Sequence, residues 1–400
     1  MTTRKSSLPT ERHPFHSLCS YIGCFPPRVP QALLQRWAPA SGWVLDPFCG
    51  SGTTLVEARL RGLPCVGVDL NPLAVAVASG KTQDVHLADV EYRVAELAAS
   101  ARTGEDLRDV PEGMRTIYHP RTLAQLCCLR RSLDPSRAED LFLRAALLGI
   151  MHGKARADGS TAYLSIDMPN TFSMSPDYVR GFVAKHELTQ PRADVFSKLR
   201  DRARWLLRDG VPGYGTEVRV AQGDATRLSA LEPLFKGIHV GTVITSPPYL
   251  GILRYGAFNW IRLWLLGFDP YQIDKLLDGT DSLDRYLSFI LSFLRSLGNI
   301  LDAGAMAVLV IGDVVEFGHH VRLAERVWEE VADLIPFEFV EMGEDTFDVK
   351  SKTTRIWGED KRGNATPVDR VLVLRKAAAS RTSMVRIPAL KPPQSAADES

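Results

Sequence analysis

The chain has almost no excess of charge: its 400 residues carry a formal net charge of +1. That excludes a polycation that coats nucleic acid indiscriminately, so any grip on nucleic acid must come from local patches. Paired cysteines are missing too. None of the six, Cys19, Cys24, Cys49, Cys65, Cys127 and Cys128, stands in a CxxC pair, and the nine histidines show no ligand spacing relative to them. Neither a zinc ribbon nor a disulfide framework is indicated, and reduced, buried thiols are expected. Long hydrophobic runs are absent as well. The N-terminus, MTTRKSSLPTERHPFHS, has no apolar signal core, and no stretch approaches membrane-spanning length. These absences point to a cytoplasmic protein with no metal and no membrane. No internal repeat is present either.

What is there suffices for a large core. A hydrophobic fraction of 45% is ordinary for a globular protein, and the length suits one large α/β domain with insertions or two ordinary domains. Short β-branched runs recur, each followed by a helical pattern, which predicts a parallel sheet flanked by helices. Strands are expected at 42–48, 64–72, 217–225, 239–249 and 305–313, with a closing antiparallel pair at 337–347 and 368–376. The rhythm breaks once, between about 80 and 215, where the sequence reads as mostly helical. That is far too long for a connection, so residues 81–215 are expected to form an inserted helical subdomain between two halves at 1–80 and 216–377. The tail, 378–400, is rich in Ser, Ala and Pro and reads as disordered.

Two stretches carry chemistry. In "VLDPFCGSGTTLVEA" (44–58) a strand runs into glycines and then a helix, a design that lets backbone approach a ligand closely. A phosphate-binding loop would carry a lysine. Here there is none, and Asp46 stands at the entrance. A carboxylate there repels pyrophosphate but suits a ligand with an ammonium and a sulfonium. Asp69, at the end of the second strand, can accept from ribose hydroxyls, and Asp224, at the end of the third, from an adenine amino group. The three acids match the three parts of S-adenosylmethionine; the competing reading is a generic dinucleotide turn.

The second stretch is "TVITSPPYLGILRYG" (242–256). Its two prolines fix the backbone and remove two N–H donors, leaving carbonyls and the Ser246 hydroxyl as acceptors at a strand's carboxyl end. Rigid acceptors beside an aromatic ring suit an exocyclic amine on a flat base. Hydrogen bonds from that amine to Ser246 and the Pro247 carbonyl would favour a tetrahedral nitrogen and free its lone pair, with no strong base required. Pro248 completes the corner, and Tyr249 can stack on a base that has left its duplex. Taken alone, SPPY also reads as a plain loop.

Together these stretches resemble the amino-methyltransferases of DNA, which methylate cytosine N4 or adenine N6. The resemblance covers about 20–80 and 215–376. "DPFCGSGTT" looks like the family's cofactor motif, with Asp46, Pro47, Phe48, Gly50, Gly52 and Thr53, and "TSPPY" like its catalytic motif. "FPPRVPQALLQRW" (25–37) is similar to the segment that packs on the methionine end of the cofactor, which adds Phe25 and Pro26. The resemblance implies a seven-stranded, Rossmann-like methyltransferase sheet with its last strand antiparallel. It also implies S-adenosyl-L-methionine as cofactor, double-stranded DNA with the target base flipped out as substrate, and a cognate restriction endonuclease as partner. Serine in the first motif position resembles the cytosine-N4 branch; adenine N6 and guanine N2 of transfer RNA are the alternatives.

The sequence departs from the family's pattern in one respect: its large insertion lies between the second and third strands. Two segments then compete for reading DNA. One is the inserted region, with "GKARADGS" (153–160) and "SKLRDRARWLLRD" (197–209). The other is the late loop, in which Lys350, Lys352, Arg355, Lys361 and Arg362 surround Trp357. A solvated charged surface is the competing reading for both. Arg254 and Tyr255, just after the proline corner, are expected to line the base pocket.

Overall fold

The computed structural model describes residues 12–24, 26–101, 106–170, 173–248, 254–277, 282–316, 319–346 and 365–378. Its centre is one mixed sheet whose strands are β1 (Trp43–Asp46), β2 (Cys65–Asp69), β3 (Val218–Gln222), β4 (Val240–Thr245), β5 (Met306–Glu316), β6 (His319–Val321), β7 (Phe337–Thr346) and β8 (Ala365–Lys376). The order across the sheet is β3-β2-β1-β4-β5-β8-β7, with β6 hairpinned onto β5. β1 to β5 run parallel, and β8 is antiparallel to both of its neighbours, so β7 returns to the common direction. This is the mixed α/β sheet, with its last strand reversed, that the sequence resemblance implies.

The expected strands are all present: β1 to β4 and β7 stop short of their expected carboxyl ends, β5 runs past its own to Glu316, and β8 ends where expected but begins earlier, at Ala365. β1 stops at Asp46 because Pro47 has no N–H to give and the Asp46 carboxylate accepts from the Phe48 amide instead. β4 stops at Thr245 for a related reason, two residues before the proline pair. β6 was not expected from the sequence. At three residues it is too short to show an alternation.

Apolar side chains cover the sheet on both faces. Val44, Cys65, Ile244, Val308 and Val373 pack under the helices Arg28–Trp37 and Thr53–Arg59. On the other face Leu45, Val66, Val243 and Leu309 meet the helices Leu283–Ile300 and Leu323–Val331. The stretch between β2 and β3 is helical, as expected. Its helices, from Pro72–Lys81 to Val195–Leu206, form a third apolar cluster, which also takes in Phe15, Leu18, Trp260 and Trp264. Trp260 and Trp264 are therefore core residues. All six cysteines are free, and only Cys24 is less than buried.

Strand order reverses between β1 and β4. An open α/β sheet leaves a crevice outside the carboxyl ends of its strands at such a point. The glycine loop leaves β1 there, and the proline corner leaves β4.

Candidate functional site

The glycine loop is built by two left-handed glycines. Gly50 has φ +50° and Gly52 φ +79°, a region that residues with a Cβ rarely adopt. At Gly52 the packing is tight as well: a Cβ would sit 3.2 Å from Ala78 Cα on the helix Pro72–Lys81. From β2, Asp69 reaches across and accepts from the Gly50 amide at 2.8 Å with one carboxylate oxygen. Its other oxygen accepts from the Asn71 amide, also at 2.8 Å. The first two strands are thus latched at their carboxyl ends by a single side chain.

Between the loop and the proline corner lies a cavity of about 470 Å³, within the usual range for small-ligand sites. Of the residues singled out from the sequence, Pro47, Phe48, Gly50, Asp69, Asp224, Ser246, Pro247, Pro248 and Tyr255 line it. Loop and corner therefore share one cleft. Others do not line it. Asp46 is 2% exposed, and its Oδ1 accepts from Thr245 Oγ1 at 2.6 Å and from the Phe48 amide at 3.2 Å, tying β1 to β4. Gly52 and Thr53 lie behind the loop, both buried. Pro26 and Arg254 are off the lining, the latter exposed. Phe25, Tyr249, Lys350, Lys352, Arg355, Lys361 and Arg362 lie outside the described residues.

Two acids set the electrostatics here, Asp46 buried behind the loop and Asp69 half-buried on the cavity floor. Desolvation pushes the carboxyls of both Asp46 and Asp69 up to about 6, against the pull of the hydrogen bonds they accept. Asp224 caps the turn after β3, its Oδ1 accepting from the Thr226 amide at 2.8 Å and from the Thr226 hydroxyl at 2.7 Å. Burial raises the Cys49 thiol well above its ordinary range, so this loop cysteine is an inert filler.

Two aromatic walls face the cavity. Phe48 packs on Phe289 and Phe293 at 5.8 and 4.8 Å between ring centroids. Tyr21 stacks on Tyr255 at 6.0 Å with 27° between planes, and its hydroxyl accepts from Asn71 Nδ2 at 2.8 Å. Tyr21, Asn71 and Phe289 were missed in the sequence. Asn71 had a signal, standing two residues past Asp69 in "DLNP" with its side chain capping the next helix at Leu73 N. Tyr21 had none, because its place depends on how the N-terminal segment folds back over the loop.

Opposite the acids is the corner. Ser246 Oγ is buried on the cavity side with no hydrogen-bond partner among the described residues, Pro247 is buried, and Pro248 is exposed. A buried hydroxyl left unpartnered at a cavity wall is costly unless a ligand completes it. No cluster of His, Cys, Asp or Glu among the described residues could hold a metal ion, and no helix among them is long and apolar enough to cross a membrane.

A family described as DNA methylase matches residues 4–79. The Type II methyltransferase M.MjaII of Methanocaldococcus jannaschii is 35% identical over 68 residues, 17% of this chain and 13% of that protein. The Type II methyltransferase M.MvaI of Kocuria varians is 36% identical over 72 residues, 16% of each chain. The matched segment therefore spans less than a fifth of either relative. Among solved structures, an rRNA methyltransferase, aviRa of Streptomyces viridochromogenes, aligns over 92% of this chain and 94% of its own at 14% identity and a TM-score of 0.37.

Proposed function

We propose that this chain, whose cofactor-loop segment is similar to DNA methylases, methylates an exocyclic amine of a base in DNA. S-adenosylmethionine supplies an electrophilic methyl group on a sulfonium. This chain's residues bind and align the partners. Asp69 accepts from the ribose hydroxyls, Asp224 and the turn after it take the adenine end, and Phe48 with Phe289 gives an apolar wall. On the other side, Ser246 Oγ and the Pro247 carbonyl accept from the two N–H groups of the target amine. With S-adenosylmethionine bound, those two acceptors would leave the amine's lone pair free to take the methyl, the sulfur leaving with the C–S electron pair and one amine proton going to solvent. Tyr255, backed by Tyr21, gives the flipped base a ring to stack on. Asp46 acts from behind the loop, Phe25 and Pro26 take the methionine end of the cofactor as the family resemblance implies, and Arg254 with the late basic loop holds phosphates.

One observation carries the reading: the Ser246 hydroxyl, without a partner among the described residues, shares a cavity with Asp69 and Gly50. A bound amine supplies the donor that this hydroxyl lacks. Within the reading we assign cytosine N4 as the acceptor, on the serine at the head of the corner motif, and a cognate endonuclease whose sites the methylation protects. The test is incubation with methyl-labelled S-adenosylmethionine and duplex DNA or transfer RNA, followed by chromatography of the nucleosides. Label in N4-methylcytosine is expected. Label in N6-methyladenine would move the acceptor, and label in RNA alone would remove the DNA substrate.

A further inference from the structure

Behind the glycine loop lies a lysine that the proposed chemistry does not use. Lys81, on the last turn of the helix Pro72–Lys81, is 1% exposed. A lysine is rarely buried without an anion beside it, because its ammonium loses its water. Lys81 forms no salt bridge with a described residue; its Nζ donates to Ser51 Oγ at 3.3 Å. Glu57 on the neighbouring helix is already engaged by His16 at 2.7 Å, Gln31 at 3.1 Å and Arg61 at 3.1 Å. Burial lowers the pKa of Lys81, as it must for a cation stored without a partner.

The direction of the hydrogen bonds follows from the donors. Lysine can only donate, so Ser51 Oγ accepts from it. The serine's own hydrogen is then available for Cys24 Sγ, 2.9 Å from the same oxygen. That turns the thiol hydrogen of Cys24 away from Ser51. Cys24 is half-buried and directly follows Tyr21, Ile22 and Gly23, all three on the cavity lining. Its sulfur also sits against Gly50, 3.8 Å from where a Cβ on that glycine would lie. A chain of donors thus runs from a buried cation, through the glycine loop, to the cavity's edge. The carboxylates of Asp46 and Asp69 stand on the strand side of that loop, at the ends of β1 and β2.

We propose that Lys81, acting through Ser51 and Cys24, is the positioning residue for the carboxylate of the cofactor's methionine. The proposal rests on S-adenosylmethionine being the cofactor. It explains why an ammonium is kept in the core without an anion among the described residues: the anion arrives with the ligand. Even two hydrogen bonds behind the carboxylate's donor, up to about 9 Å away, a buried cation contributes roughly a ten- to hundredfold gain in affinity.

The experiment is calorimetric titration of wild type, Lys81→Met and Ser51→Ala with S-adenosylmethionine and with its decarboxylated analogue, alongside urea unfolding of each protein. Wild type should prefer the carboxylated ligand by ten- to hundredfold. Lys81→Met should lose most of that preference, bind the decarboxylated analogue as wild type does, and unfold at the same or a higher urea concentration, since it buries a thioether in place of an ammonium. Ser51→Ala, which breaks the chain and keeps the charge, should lose part of the preference. Weakening of both ligands to the same degree would make Lys81 a merely structural residue and overturn the proposal. So would unchanged preference in both variants. If wild type binds neither ligand, the cofactor reading itself falls, and the proposal with it.

Discussion

Replacing Asp69 tests the cofactor site more sharply than any other change. Its carboxylate accepts from the amides of Gly50 and Asn71, each at 2.8 Å, and hydrogen bonds to a charged acceptor contribute about 1.5–3 kcal/mol each. The side chain is only half-buried, so water entering the cavity replaces part of that loss. Asp69→Ala should therefore cost about 1–2 kcal/mol of stability, well short of unfolding the protein. Binding should suffer more. Losing the acceptor for the ribose hydroxyls removes about 1.5–3 kcal/mol, which is roughly a ten- to hundredfold rise in the cofactor dissociation constant. Asp69→Asn does not restore it, because an amide that accepts from one backbone N–H turns its own NH₂ towards the other. The pH profile adds a second signature. With the carboxyl raised to about 6, wild-type affinity should be flat above pH 7 and fall as the group protonates below about 6. Stability moves the other way. A carboxyl that holds its proton more tightly when folded makes the native state the greater proton binder between about 4 and 6, so this group's contribution to stability rises as pH falls through that window. Asp46, also raised to about 6, contributes with the same sign. Weaker binding at pH 5 would therefore not be acid unfolding. Titrations of wild type and both variants from pH 5 to 8, with urea curves at each pH, check all of this. Wild-type affinity in Asp69→Ala, or a wild-type profile flat down to pH 5, would refute the ribose assignment.

The other tests are shorter. Ser246→Ala should lower kcat for methyl transfer about a hundredfold while leaving the cofactor dissociation constant within twofold, because the hydroxyl acts on the amine; equal kcat would remove it from the chemistry. Gly52→Ala puts a Cβ at φ +79° and 3.2 Å from Ala78 Cα, which should cost about 1–2 kcal/mol in urea unfolding and weaken cofactor binding as the loop shifts. Charge reversal at Lys361 and Arg362 should lower DNA affinity and flatten the slope of log K against log salt by roughly two; an untouched slope would make that loop plain surface.

How much of this was legible in the sequence follows from how local each determinant is. The five parallel strands were readable because each is a short apolar run that meets a glycine, proline or acid at or near its own end, and the glycine loop because its backbone conformation is dictated by two glycines two residues apart. The proline corner declared itself in the same way. Residues whose role depends on distant chain were not readable. Tyr21 reaches the cavity because the N-terminal segment crosses over the loop and stacks on a tyrosine from beyond β4. Phe289 lines it as one aromatic on an amphipathic helix, indistinguishable in sequence from its core-facing neighbour Phe293. Asp46 is the more instructive case, since its side chain is turned to the sheet and away from the cavity. A carboxylate at a loop entrance can face the ligand or the sheet, and the choice lies with Thr245, 199 residues away in sequence, whose hydroxyl donates to it at 2.6 Å.

The same pair suggests why the two motifs work as a unit. Thr245 immediately precedes Ser246, and Asp46 immediately precedes the glycine loop, so their hydrogen bond sets the distance between the cofactor loop and the acceptor corner at its base. In-line methyl transfer depends on that distance, because misplacing the reacting atoms by an ångström costs on the order of a hundredfold in rate. The acid at the loop entrance then serves alignment first. A protein that holds its two reacting partners on separate loops needs such a strut, and here it is a buried carboxylate with its pKa pushed up to about 6.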